Sequence, residues 1–131
     1  MTQTATCRCG QLSAICTGEP VRVSICHCYD CQKRSGSVFA AQARFPADAV
    51  TVSGEHKVYE HVGDSGNLAS FHFCPVCGAT LWYHARPHRE LFAIAIGAFA
   101  DRDFPAPRYS VWEDRKHPWL TIDSDNIEHH D

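Results

Sequence analysis

Apolar and polar residues alternate with a period of two along short stretches of this chain. In "QLSAICTG", Leu12, Ala14 and Cys16 fall on one face; in "VRVSIC", Val21, Val23 and Ile25 do the same. That period marks a half-buried strand. "GSVFAAQARF", "VTVSG", "HKVYEHVG", "NLASFHF", "TLWYHA", "LFAIAIGAFA" and "RYSVW" read as further short strands. Turn residues separate them at Gly18-Glu19-Pro20, Pro46-Ala47-Asp48, Asp64-Ser65-Gly66-Asn67 and Ala85-Arg86-Pro87. No stretch sustains a 3.6-residue period. One helical turn is expected at Tyr29–Ser35, ended by Gly36. The pattern predicts a mainly β, single-domain fold over residues 1–122. The polar tail 123–131, "DSDNIEHHD", is expected to be frayed, with His129 and His130 in solvent.

Composition adds limits to this picture. A chain of 131 residues suits one domain, and at that size it can bury roughly two-thirds of its unfolded surface. The net charge of -3 and the lack of a long basic run argue against nucleic acid as a partner. The longest apolar run, Leu91 to Ala100, is about half of the roughly 20 residues that span a bilayer, so a buried strand is expected and no membrane partner. "MTQTATCRCG" has neither a basic n-region nor an apolar h-region, which points to a cytoplasmic protein. In a reducing cytosol, eight cysteines suit metal or thiol chemistry better than disulfides.

Those cysteines form a pattern. Cys7 and Cys9 are C-x-C; Cys26, Cys28 and Cys31 are C-x-C-x-x-C; Cys74 and Cys77 are C-x-x-C; Cys16 stands alone. A redox pair of the thioredoxin kind would need a βαβ context that is absent. Zinc takes four ligands in a tetrahedron and favours thiolate sulfur. One C-x-C with one C-x-x-C makes a closed structural site, Cys7, Cys9, Cys74 and Cys77, with Gly10 and Gly78 easing the turns beneath the metal. The remaining three cysteines make a second site with one open position, the usual mark of a catalytic zinc. Two zinc ions per chain are expected. Cys16, on an alternating strand, reads as a small buried hydrophobe. His27 lies between two ligands on an extended segment, so its ring should point away from them. His72 and His84 flank the C-x-x-C, and either a reach to the open site or an ordinary half-buried place on a strand fits them.

"CRCGQLS", "CHCYDCQKRSGSVFA" and "FCPVCGATLWY", in that order, resemble the glutathione-dependent formaldehyde-activating enzyme family, which includes centromere protein V. The segment "GAFADRDFPAPRYSVWEDRKHPWL" also looks like that family's C-terminal part, so the resemblance spans roughly Cys7 to Leu120. It implies β-sheets in a tent-like arrangement around zinc. It implies the same metal partition: Cys7, Cys9, Cys74 and Cys77 structural, and Cys26, Cys28 and Cys31 catalytic. The reaction it implies joins glutathione and formaldehyde to S-hydroxymethylglutathione, the work of a carbon–sulfur lyase.

A centre of three thiolates is a weak Lewis acid but suits a fourth sulfur. The expected partners are therefore a small thiol, bound as thiolate, and an aldehyde such as formaldehyde. Lys33, Arg34 and the backbone at Ser35-Gly36-Ser37 follow the cluster and can hold a carboxylate or oxyanion, or form an ordinary solvated turn. Gly36 would let a ligand approach closely. Trp112 and Trp119 either wall the pocket or pack the core. The alternative function is a zinc-stabilised binding module without turnover.

Overall fold

A computed structural model describes all 131 residues. The strands are β1 (Thr2–Thr6), β2 (Ser13–Thr17), β3 (Arg22–Cys26), β4 (Ala40–Pro46), β5 (Val50–Ser53) and β6 (Lys57–Val62). They continue with β7 (Leu68–Phe73), β8 (Thr80–Ala85), β9 (His88–Ala95), β10 (Tyr109–Val111) and β11 (Glu128–His129). The one α-helix, α1, is Tyr29–Ser35. A small sheet runs β1-β2-β5, and a large one runs β11-β10-β3-β4-β9-β8-β7-β6. The expected mainly β fold is what the chain adopts, but the large sheet is mixed: β10 lies parallel to both β3 and β11. No helix is long and apolar enough to cross a membrane.

The core lies between the two sheets. Leu12, just before β2, and Ala14 and Cys16 from the small sheet meet Val23, Phe45, Leu81, Trp82 and Ile94 from the large one. Cys16 is buried here, as its alternation required. Cys7 and Cys74 belong to the same cluster, so these two cysteines anchor the first group in the core, while Cys77 is half-buried and Cys9 exposed.

Three local expectations are corrected. The run Leu91–Ala100 is not one strand: β9 ends at Ala95, and Ile96–Phe99 form a 3-10 turn that brings Phe99 under the core. Val21 is 61% exposed, because β3 begins only at Arg22. The tail is not frayed: Glu128–His129 add an edge strand, and His129 Nδ1 meets Glu113 Oε2 at 2.6 Å.

Pairing register builds the outer face of the large sheet. Arg22 pairs with Arg44, Arg44 with Ala93, Ala93 with Tyr83, Tyr83 with Phe71 and Phe71 with Tyr59. Directly paired residues share a face, so this is one row across six strands. Large side chains flank a single alanine in it. Beside the row, Ser24 pairs with Gln42 and Cys26 with Ala40. On β3, therefore, Arg22, Ser24 and Cys26 look outward while Val23 and Ile25 look inward.

Candidate metal centres and the adjoining cleft

Two cysteine groups come together: Cys7, Cys9, Cys74 and Cys77 form one, and Cys26, Cys28 and Cys31 the other. Within each, the sulfurs lie within 4.8 Å of one another.

Two matching turns build the first group. Gly10 N–H donates to Cys7 O at 3.1 Å, and Gly78 N–H donates to Cys74 O at 2.8 Å. Both glycines have positive φ, 89° and 80°, which a side chain would oppose. The turns present the sulfurs to each other: Cys7 and Cys9 Sγ are 3.6 Å apart, and Cys9 and Cys74 Sγ 3.7 Å. Four sulfurs tetrahedrally placed about 2.3 Å from a zinc ion would be separated by about 3.8 Å. N–H donors also converge on them. Leu12 N–H reaches Cys7 Sγ at 3.3 Å, and Gln11 Nε2 reaches Cys74 Sγ at 3.0 Å. Burial pushes the Cys74 thiol up, but the N–H groups of Cys77, Gln11 and Val76 outweigh it and hold it at about 6. Soft, anionic donors at this spacing fit zinc.

The second group sits where β3 runs into α1. Cys26 ends the strand, Cys28 caps the helix and Cys31 lies in its first turn. Cys28 Sγ accepts the Cys31 N–H at 3.4 Å, and the Cys26 and Cys31 thiols help to push it down to about 2. The donor set again fits zinc, with three protein sulfurs rather than four. His27 is fully buried on the other side, with Nε2 2.9 Å from Ser110 Oγ, so it is no ligand here. His72 and His84 do not reach the group either. His84 sits between Trp82 Nε1 and the Leu91 carbonyl, and His72 stacks on the Trp82 ring.

The three cysteines open into a cleft of about 310 Å³ over the outer face of the large sheet. Arg34 lines it, as expected of a substrate contact. Its Nη2 is 3.7 Å from Cys31 Sγ, and its guanidinium lies 5.0 Å over Phe71 and 5.1 Å over Tyr83. Trp112 lines the cleft too. Its φ of 58° is costly for a residue with a side chain. Arg115 lies 4.7 Å over the Trp112 ring and pairs with Asp64 on the β6–β7 turn. Gly36 and Ser37 are not among the lining residues. Gly36 ends α1 with φ 72°, and a Cβ there would meet only open space. Its conformation, not a ligand's approach, accounts for the glycine. Trp119 is 70% exposed, away from the cleft.

Sequence reasoning did not find Arg22, Gln42, Arg44, Tyr83 or the Asp30–His61 pair, all of which line this cleft. Asp30 Oδ1 is 3.0 Å from His61 Nε2, and Asp30 Oδ2 accepts the Asp64 N–H at 3.2 Å, which ties α1 to the β6–β7 hairpin. The available signal was the polar half of the β3 and β4 alternation, Arg22 and Ser24 facing Gln42 and Arg44.

The family model described as "Glutathione-dependent formaldehyde-activating enzyme" matches residues 2–115. No curated protein matches the chain. Among solved structures, the crystal structure of a Rhodobacter sphaeroides protein from a structural genomics effort aligns with a TM-score of 0.57 at 22% identity. The alignment covers 72% of this chain and 85% of that one, and it speaks for the fold.

Proposed function

The chain belongs to the glutathione-dependent formaldehyde-activating enzyme family, and from that premise we propose that it is a zinc-dependent carbon–sulfur lyase that joins a small thiol to an aldehyde at Cys26, Cys28 and Cys31. The observation that carries this reading is the place of those three sulfurs, at one end of a cleft lined by arginines. Zinc bound there would lower the pKa of a thiol and present its sulfur as a nucleophile.

The chain's own residues supply the rest. In the forward direction the thiol sulfur forms a bond to the aldehyde carbon, the C=O π pair moves to oxygen, and the thiol proton finally rests on that oxygen. Arg34 is the fixed cation beside the cluster, held by Cys31 Sγ on one side and the Phe71 and Tyr83 rings on the other. It can donate to the oxygen as charge develops there, without reorganising. Trp112 and the hairpin joined to it through Arg115 wall the cleft and limit water. Arg22 and Arg44 form no ion pair and attract an anionic substrate.

The test is consumption of formaldehyde with glutathione and with other small thiols, measured against the uncatalysed addition. A rate above background with at least one thiol is expected. No acceleration with any of them would favour the binding module.

A further inference from the structure

Trp112 has a left-handed backbone, and the chain is pinned on both sides of it. β10 ends at Val111, which pairs with Cys26 and shares its outward face. Were β10 to run on in extended form, alternation would send Trp112 to the inner side of the sheet. Instead its φ is 58°, and the turn keeps Trp112 in the wall of the cleft. A residue with a side chain holds such a conformation only where its surroundings over-determine it.

Two anchors supply that constraint. Upstream, the Val111 carbonyl accepts the N–H of His27, between two cysteines of the second group, at 3.0 Å. Downstream, the Glu113 N–H donates to the His130 carbonyl at 2.9 Å. His129 Nδ1 meets Glu113 Oε2 at 2.6 Å, and the Glu113 side chain is only 15% exposed. The tail is itself fastened to β10: the His130 N–H donates to the Ser110 carbonyl at 2.8 Å, and the Glu128 N–H to that of Arg108 at 2.9 Å.

The two anchors differ in origin. His27 and Val111 lie within residues 2–115, which the family model matches, whereas residues 128–130 lie beyond it. Both residues of β11 are exposed, so apolar burial does not account for its docking. We infer that β11 is a strap that holds Trp112 in the cleft wall, with His129 as a positioning residue that acts through Glu113. This rests on the reaction proposed above and adds a device, supplied from outside the matched residues, that shapes its site. With the strap released, Trp112 can relax to an extended backbone, and water enters where its side chain stood.

The experiment uses the full chain in a Trp119→Phe background. Trp119 is 70% exposed, whereas Trp82 is 2% exposed, so acrylamide quenching of tryptophan fluorescence in that background reads Trp112. His129→Ala removes the bond to Glu113. Trp112 should then lose its protection from acrylamide, and kcat/KM for glutathione and formaldehyde should fall about tenfold, the usual loss for a hydrogen bond to a charged group. His129→Asn, whose amide N–H can take the place of the imidazole Nδ1–H, should restore both. Cooperative thermal melting shows that each variant is folded. Unchanged quenching in His129→Ala, a change that His129→Asn does not reverse, or a His129→Ala protein that fails to fold would overturn the strap. So would a rate that stays at the wild-type level while quenching changes. Quenching that changes and is restored as expected, in a protein whose wild type shows no turnover, would uphold the strap and overturn the reaction. Wild-type turnover with unchanged quenching would do the reverse.

Discussion

Cys9 Sγ and Cys74 Sγ lie 3.7 Å apart although 65 positions separate them in the chain. Their contact joins the turn after β1 to the turn between β7 and β8, and so ties the small sheet to the large one. Cys7 and Cys74 are at the same time part of the core. Removing the metal that these sulfurs fit would leave the Cys7 and Cys74 thiols without partners in an otherwise apolar interior and release the link between the two sheets.

Cys74→Ser is therefore expected to unfold the protein. Structural zinc contributes about 10–16 kcal/mol in small zinc-binding peptides, whereas a whole domain is stable by only about 5–15 kcal/mol. Circular dichroism of the variant should show loss of the β signal, and a strong chelator should do the same to the wild type. A Cys74→Ser protein that still melts cooperatively near the wild-type temperature would remove the structural role from this site.

Phe45 tests the apolar side of the same core. It is fully buried and lies 6.2 Å from Phe99, centroid to centroid. Phe45→Ala should cost about 3–5 kcal/mol, through lost burial and the cavity left behind. The denaturant midpoint measures it. A loss under about 1 kcal/mol would mean that the two sheets can close over the gap.

The cysteine motifs were legible in the sequence because ligand type and spacing are local signals. Cys26, Cys28 and Cys31 lie within six residues, and the pairs Cys7/Cys9 and Cys74/Cys77 carry their own turn glycines. The helix over Tyr29–Ser35 was legible too, from the stop signal at Gly36. The cleft wall was not. Arg22, Arg44 and Tyr83 sit on three strands, and only the register through Ala93 places them side by side. β1 escaped notice because "TQTAT" offers Ala5 as its only apolar residue, and that residue is buried by contact with the rest of the fold rather than by any local pattern. β11 has no apolar residue at all and is held by pairing with β10 and the His129–Glu113 contact.

Arg34→Gln separates stability from chemistry. The guanidinium contacts Cys31 and two aromatic rings but makes no backbone bond. Its loss should lower stability by no more than the roughly 0.5–2 kcal/mol of a cation–π contact. If Arg34 stabilises the developing oxyanion, kcat/KM should fall about 10²–10³-fold. A rate within a few-fold of the wild type would take Arg34 out of the reaction and leave it as a prop for α1.

In the proposed function the reaction occurs at Cys26, Cys28 and Cys31, while Cys7, Cys9, Cys74 and Cys77 hold the fold. The most direct measurement is the rate at which folded Cys31→Ser joins glutathione and formaldehyde. The expected result is a cooperative thermal transition, one zinc per chain instead of two, and a rate no greater than the uncatalysed addition. A folded Cys31→Ser protein that keeps most of the wild-type rate would contradict it, and so would a variant that unfolds as Cys74→Ser is expected to.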